Sequence, residues 1–142
     1  MTGDRPPPTP GPSPPGQLPR RVLLVDDQRE ARRAIALYLR FQGFEVIEAA
    51  DGQSALDAVS TSTAFDFALL DVSLPDIDGR EVAVRLRHDS PETWIALVTG
   101  WSLDPDEDLP VEIDGVFVKP VSLVDLSRIL TEGPKPGANR AG

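Results

Sequence analysis

The sequence contains no cysteine. Disulfides and thiolate metal sites are therefore excluded, and a reducing compartment, the cytoplasm, is expected. There is a single histidine, His88. It falls at the end of a predicted helix among polar residues, where a solvated side chain is expected rather than a catalytic base. No apolar run is long enough to cross a bilayer, and the N-terminus has neither a basic start nor an apolar signal core. A membrane partner and secretion are accordingly not expected. Basic residues are outnumbered, 14 Lys and Arg against 23 Asp and Glu, for a net charge of −9. That balance disfavours binding nucleic acid or anionic lipid through bulk electrostatics. Internal repeats are absent as well.

What is present is enough for one domain with a buried core and two tails. Eight of the 15 prolines lie in the first twenty residues, with almost no large apolar side chain among them. Residues 1–19 are therefore expected to be a disordered, partly polyproline-like tail, because they cannot bury enough surface to offset their ordering entropy. Residues 20–131 are expected to form the domain, and 132–142, rich in glycine and proline, a second tail.

Within the domain, short apolar runs alternate with segments of helical periodicity. Val22-Leu23-Leu24-Val25, Phe44 to Ala49, Phe65 to Leu70, Trp94 to Val98 and Gly115 to Val118 read as strands, the most apolar of them buried on both faces. Helices are expected over Arg29 to Phe41, Ser54 to Ser60, Gly79 to Arg87, and after Ser122, where Leu123, Leu126, Ile129 and Leu130 recur at helical spacing. Gly43 is placed to end the first helix. The arginines of that helix, including Arg32 and Arg40, read as a solvated face. Residues 102–114 are acidic and carry Pro105 and Pro110, so any helix there is short or distorted. Strand and helix alternating about five times predict a doubly wound α/β fold: a parallel sheet, helices on both faces, right-handed crossovers.

Four of these strands end in polar residues: Asp26 and Asp27, Asp71, Thr99, and Lys119. In a doubly wound sheet the carboxyl ends share one edge, and ligands bind where the winding reverses. Three carboxylates brought together cannot all ionise cheaply without a cation. Hard oxygen ligands without cysteine or histidine suit Mg²⁺ or Mn²⁺. Such a cation, a hydroxyl and a lysine describe a place to hold a phosphoryl group, with Asp71 the best-placed nucleophile. For each residue alone, a helix cap or a turn is the plainer explanation. The four strand ends in order make the signal.

Taken together these motifs resemble the receiver domain of two-component response regulators, over about Arg21 to Thr131. Leu23-Leu24-Val25-Asp26-Asp27 resembles the acidic opening of that family. Leu69-Leu70-Asp71 with Pro75 and Gly79 resembles its phosphoacceptor strand and loop. Val98-Thr99-Gly100 and Val118-Lys119-Pro120 resemble the switch hydroxyl and the lysine whose following peptide is often cis. The resemblance implies a (βα)5 flavodoxin-like fold with strand order 2-1-3-4-5, here with an atypical fourth helix. It implies phosphorylation on Asp71, and Mg²⁺ held by Asp26, Asp27, Asp71 and the backbone carbonyl of Ser73. Thr99 and Lys119 would contact the phosphoryl group. The donor would be a phosphohistidine on a sensor histidine kinase or histidine phosphotransfer protein. Such a domain assists its own phosphorylation and dephosphorylation and turns over no separate substrate.

Two departures concern output: the position three before the lysine, and the stretch between Thr99 and Lys119, which is shorter than is usual in the family and rich in acid and proline. The family usually carries an aromatic residue three positions before the lysine; here that position is Val116 and the aromatic is Phe117. Neighbours on a strand point to opposite faces, so Phe117 does not simply substitute. Trp101 stands two residues after Thr99, where bulk is expected to exclude the attacking water and prolong the acyl phosphate. No output domain fits after Thr131, and the initial Met and both tails favour a free-standing receiver. The signal would then pass to a separate downstream protein or onward in a phosphorelay. Three other readings exist. One is a degenerate receiver acting as a phosphorylation-independent binding module. Another is a Mg²⁺-dependent phosphatase of haloacid-dehalogenase type, which wants an Asp where Ser73 stands. The last is a flavin-binding domain, which wants a Ser/Thr/Gly-rich loop where Asp26-Asp27-Gln28-Arg29 stands.

Overall fold

Five apolar runs become five parallel strands. The computed structural model describes residues 20–61, 65–100 and 113–132. The strands are β1 (Arg21–Val25), β2 (Glu45–Ala49), β3 (Phe67–Asp71), β4 (Trp94–Thr99) and β5 (Gly115–Val118). The helices are α1 (Arg29–Phe41), α2 (Gly52–Thr61), α3 (Gly79–Asp89) and α4 (Leu123–Glu132). The sheet order is β2-β1-β3-β4-β5, all pairs parallel. This is the doubly wound order expected, with the winding reversing between β1 and β3. The expectations for Trp101, for residues 102–112 and an atypical helix there, and for the tails at 1–19 and 132–142 lie outside the described residues, except that Glu132 ends α4 instead of opening the tail.

Strand periodicity divides the core into two layers. Leu23, Val25, Ala68, Leu70, Ile95 and Leu97 pack with Ala55 of α2 and Val82, Ala83 and Leu86 of α3. Val22, Leu24, Leu69, Ala96 and Val98 pack on the other face with Ala36 and Leu39 of α1 and Leu126 and Leu130 of α4. Both faces of β1, β3 and β4 are covered, which is why their sequences read as unbroken apolar runs. Each fully buried leucine in these layers contributes about 1.5–3 kcal/mol. Val116 packs on the α2/α3 side and Phe117 on the α1/α4 side. Phe117 there closes an edge-to-face row of rings: Phe44 to Phe67 at 6.3 Å, Phe67 to Trp94 at 6.3 Å, Trp94 to Phe117 at 6.5 Å. The aromatic neighbour of the vacated position is therefore part of the opposite layer.

Strand β3 begins at Phe67 instead of Phe65 and α3 runs on to Asp89 instead of Arg87; two further changes have a visible cause. Helix α2 begins at Gly52, two residues before the expected Ser54, because remote and local carboxylates satisfy its first N–H groups. Asp76 Oδ1 accepts from Gly52 N at 2.8 Å, Asp76 Oδ2 from Gln53 N at 2.9 Å, and Asp51 Oδ1 from Ser54 N at 2.8 Å. The arginines of α1 are not simply a solvated face. Arg32 and Arg40 both bind Glu48 of β2, at 3.0 and 3.1 Å. The end of α1 is as expected: Gly43 takes a φ of 100°, the left-handed conformation that favours glycine.

Candidate functional site

The carboxyl ends of β1, β3, β4 and β5 meet at one edge, as parallel pairing requires. Asp26 leaves β1 while its N–H still donates to Ala49 O at 3.1 Å. Its Oδ1 accepts from Gln28 N at 2.8 Å, which turns the chain into α1. Gln28 occupies the N-cap of α1 without a side-chain cap bond, and Asp27 precedes the cap position. Asp71 is the last residue of β3, and its Oδ1 accepts from Ser73 N at 2.9 Å. Thr99 ends β4, and its carbonyl accepts from Lys119 N at 2.7 Å, setting the two residues side by side. The peptide between Lys119 and Pro120 is cis.

Oxygens of Asp26, Asp27 and Asp71 lie within 4.8 Å of one another. Asp26, Asp71 and Thr99 are buried, at 4, 3 and 1% exposure, whereas Asp27 is exposed. Lys119 Nζ donates to Asp71 Oδ2 at 2.8 Å and sits 3.8 Å from Asp26 Oδ2. Burial, with the Asp71 charge adding to it, pushes the Asp26 carboxyl above its usual range despite the Gln28 N–H and Lys119. Burial pulls the Lys119 ammonium down, but its bond to Asp71 and the charges of Asp26, Asp71 and Asp27 outweigh this and leave it raised. The Lys119 ammonium alone does not balance three carboxylates. An all-oxygen donor set with excess negative charge suits a hard divalent cation such as Mg²⁺.

The β3–α3 loop is held close to this edge. Gly79 N donates to Val72 O at 3.0 Å, and a Cβ on Gly79 would fall well inside contact distance of the Asp71 carbonyl oxygen. Asp78 caps α3 through Arg80 N at 2.8 Å. Asp76, in the same loop, reaches the N-terminus of α2, and its three backbone donors Gly52, Gln53 and Ile77 hold its carboxyl below the usual range.

A cavity of about 780 Å³ opens at the site. Asp26, Asp27, Asp71, Ser73 and Lys119 form its polar end, and Ala34, Ile35, Val98, Val121 and Leu123 its apolar wall. The structure thus brings together Asp26, Asp27, Asp71, Ser73 and Lys119, with Thr99 at the adjacent strand end. His88 is 89% exposed at its side chain and far along α3, paired with Asp89. The roles of Arg32, Glu48 and Asp76 were not visible in the sequence pattern. The single hint was Asp76 in a Pro-Asp turn, a residue type that binds backbone N–H groups.

The model of the response regulator receiver domain matches residues 22–131. The chain is 33% identical over 111 residues to the response regulator MprA of Mycolicibacterium vanbaalenii, covering 77% of this chain and 48% of that protein. It is 34% identical over 106 residues to the transcriptional regulatory protein SrrA of Staphylococcus aureus, covering 74% and 44%. The chain spans about half the length of these curated relatives. Among solved structures, a CheY-like receiver domain protein from Methanospirillum hungatei JF-1 superposes with a TM-score of 0.75 at 28% identity, over 80% of this chain and 92% of that one. The response regulator TrrA of Thermotoga maritima, solved in complex with Mg²⁺-BeF, gives 0.72 at 27%, over 80% and 97%. Among the described residues no helix is long and apolar enough to cross a membrane.

Proposed function

The chain belongs to the response regulator receiver domain family, and on that premise we propose that Asp71 is its phosphoacceptor. A phosphohistidine on a sensor histidine kinase or histidine phosphotransfer protein is the donor. An Asp71 carboxylate oxygen attacks phosphorus. The P–N bond to the donor imidazole breaks as the new P–O bond forms, and the released imidazole takes up a proton. The observation that carries this reading is the gathering of three carboxylates within 4.8 Å, with Lys119 Nζ 2.8 Å from Asp71.

Asp26, Asp27, Asp71 and the Ser73 carbonyl are the residues that would hold Mg²⁺, which neutralises phosphoryl oxygens when bound. Lys119 transfers its hydrogen bond from the Asp71 carboxylate to a phosphoryl oxygen, so its charge stays in place as new negative charge arrives. Thr99, buried at the end of β4, donates its hydroxyl to the same group. That TrrA was solved with Mg²⁺-BeF supports the metal and the phosphoryl-like occupant. Signalling follows by phosphorylation-dependent protein binding or by onward transfer in a phosphorelay. With Val116 in place of an aromatic and Phe117 in the α1/α4 layer, the relay to the surface differs from the family's usual one.

Intact mass after incubation with acetyl phosphate tests the reading. The parent gains one phosphoryl group only with Mg²⁺ present, and Asp71→Asn gains none. If the parent gains none and also fails to bind beryllofluoride with Mg²⁺, the phosphorylation-independent binding module becomes the better reading.

A further inference from the structure

Asp26 and Asp27 sit on a loop whose connecting peptide lies beyond the sheet ladder. Arg32 reaches that peptide from α1: its Nη1 donates to the Asp26 carbonyl at 2.8 Å. The Arg32 guanidinium is itself fixed, because Nε donates to Glu48 Oε1 at 3.0 Å. Glu48 is fixed in turn by Arg40, whose Nη1 binds Glu48 Oε2 at 3.1 Å while Nη2 donates to Val46 O at 2.9 Å. The Arg32 and Glu48 side chains are 13 and 16% exposed, so the pair is well shielded from solvent. Burial acts to raise the Glu48 carboxyl, but the bonds from Arg32 and Arg40 overcome it and keep Glu48 ionised.

We infer that Arg32, anchored by Glu48, is a positioning residue for the metal-binding acid pair. The inference rests on the receiver reading of Asp26, Asp27 and Asp71. Its physical basis is the plane of the Asp26–Asp27 peptide. Asp26 is pinned on one side by the sheet through Ala49 O and by Gln28 N. The Arg32 bond fixes the remaining rotation, which decides where the exposed Asp27 carboxylate points relative to Asp26 and Asp71. Without it, Asp27 must be ordered at the moment of metal binding, and that ordering subtracts from affinity. Glu48 has a second effect. It neutralises a guanidinium that would otherwise stand uncompensated beside a cation site.

The test is Mg²⁺ titration of the full chain, followed by backbone amide chemical shifts, on the parent, Arg32→Ala, Arg32→Lys, Glu48→Gln and Arg33→Ala. Arg33 lies on the same helix, is exposed and acts on Glu48 through its charge alone, so Arg33→Ala makes the same change in net charge while leaving the hydrogen bonds of the clamp in place. Arg32→Ala is expected to weaken Mg²⁺ binding about tenfold, the low end for groups that orient metal ligands. Arg32→Lys recovers part of the loss by donating to the same carbonyl, and Glu48→Gln loses less than Arg32→Ala. Arg33→Ala binds at least as tightly as the parent. In the metal-free protein, the amides of Asp27 and Gln28 exchange faster in Arg32→Ala, a local change that a general loss of stability would not confine to them. If the parent binds Mg²⁺ and Arg32→Ala binds it equally well, the positioning role is overturned and the receiver reading stands. If Arg32→Ala does not fold, Glu48→Gln binding as the parent does is the overturning result. A parent that binds no Mg²⁺ overturns both.

Discussion

Three glycines surround the site at graded distance from other atoms, and alanine at each should give a graded response. On Gly79 a Cβ would overlap the Asp71 carbonyl oxygen and lie 2.9 Å from Asp71 C and 3.0 Å from Val72 Cα. All three neighbours are backbone atoms at the end of β3, so relief requires moving either the strand end or the start of α3. Such overpacking costs about 1–3 kcal/mol. Displacement also breaks the Gly79 N–H bond to Val72 O, worth about 1 kcal/mol. Alanine returns up to about 1 kcal/mol through helix propensity. Gly79→Ala should therefore lose about 2 kcal/mol, equivalent to roughly 10 °C in a domain of this size. On Gly52 the neighbours are Ile77 Cβ at 3.0 Å, Ile77 Cδ1 at 3.1 Å and Asp76 Oδ1 at 3.2 Å, all side-chain atoms. They yield more cheaply, and the helix-propensity gain brings Gly52→Ala near neutral, within about 1 kcal/mol. Gly100 meets nothing within 4 Å, so Gly100→Ala should stay within about 0.5 kcal/mol. Urea denaturation of the three variants ranks them, and acetyl phosphate labelling reports on Asp71. Gly79→Ala should lose labelling even at temperatures where it is folded, because the strain falls on the phosphoacceptor itself. A Gly79→Ala protein as stable as Gly100→Ala, or one labelled at the parental rate, would refute this reasoning.

Other expectations follow from the same geometry. The Asp26 carboxyl is raised in the folded state, so the native protein holds its proton to higher pH than the unfolded chain does. This contribution therefore favours folding at pH below the unfolded carboxylate value and is lost as pH rises through the folded one. Asp26→Asn should accordingly be more stable than the parent at pH 7 without metal, and gain less from added Mg²⁺; calorimetric melting that shows the parent to be the more stable metal-free protein would count against it. Asp76 has the opposite sign: its lowered carboxyl favours folding above the unfolded value, and the effect fades as pH falls through the folded one. Asp76→Ala should speed hydrogen exchange at the Gly52 and Gln53 amides selectively, and unchanged exchange there would show that the cap contributes nothing. Removing the Lys119 ammonium leaves Asp26 and Asp71 facing each other, so Lys119→Met should lose about 1 kcal/mol without metal, a modest value because the lysine is partly exposed. Mg²⁺ should then stabilise Lys119→Met more than the parent, and equal thermal shifts for the two proteins would contradict the charge argument.

How much of this was legible beforehand depended on the range of the interactions involved. The strands announced themselves because a parallel sheet covered on both faces admits only apolar side chains, as in Leu23-Leu24-Val25 and Leu69-Leu70. Against that background Asp26, Asp71 and Lys119 stood out as polar breaks. Parallel pairing then placed them on one edge without further information. The opposite facing of Val116 and Phe117 followed from the two-residue period of a strand. Helix α2 was legible only in part. Its first turn depends on Asp76, 24 residues further along, which no local pattern around Gly52 and Gln53 encodes. Arg32 and Arg40 read as solvated because their spacing on α1 matches an outer face. Their partner Glu48 is on β2, and only the folded crossover brings it within 3.1 Å.

The alternation of elements, the two-faced core and the identity of the acids at the strand ends rest on local periodicity and side-chain chemistry, and so are readable from the order of residues alone. Tertiary structure decided how those acids are held. The 2.8 Å bond of Arg32 to the Asp26 carbonyl, the reach of Asp76 to α2 and the close approach of Gly79 to Asp71 O all join segments whose separation along the chain carries no sign of their separation in space. A hydrogen bond or a steric contact depends on distances of a few tenths of an ångström, and those are set only when the sheet and its helices have packed.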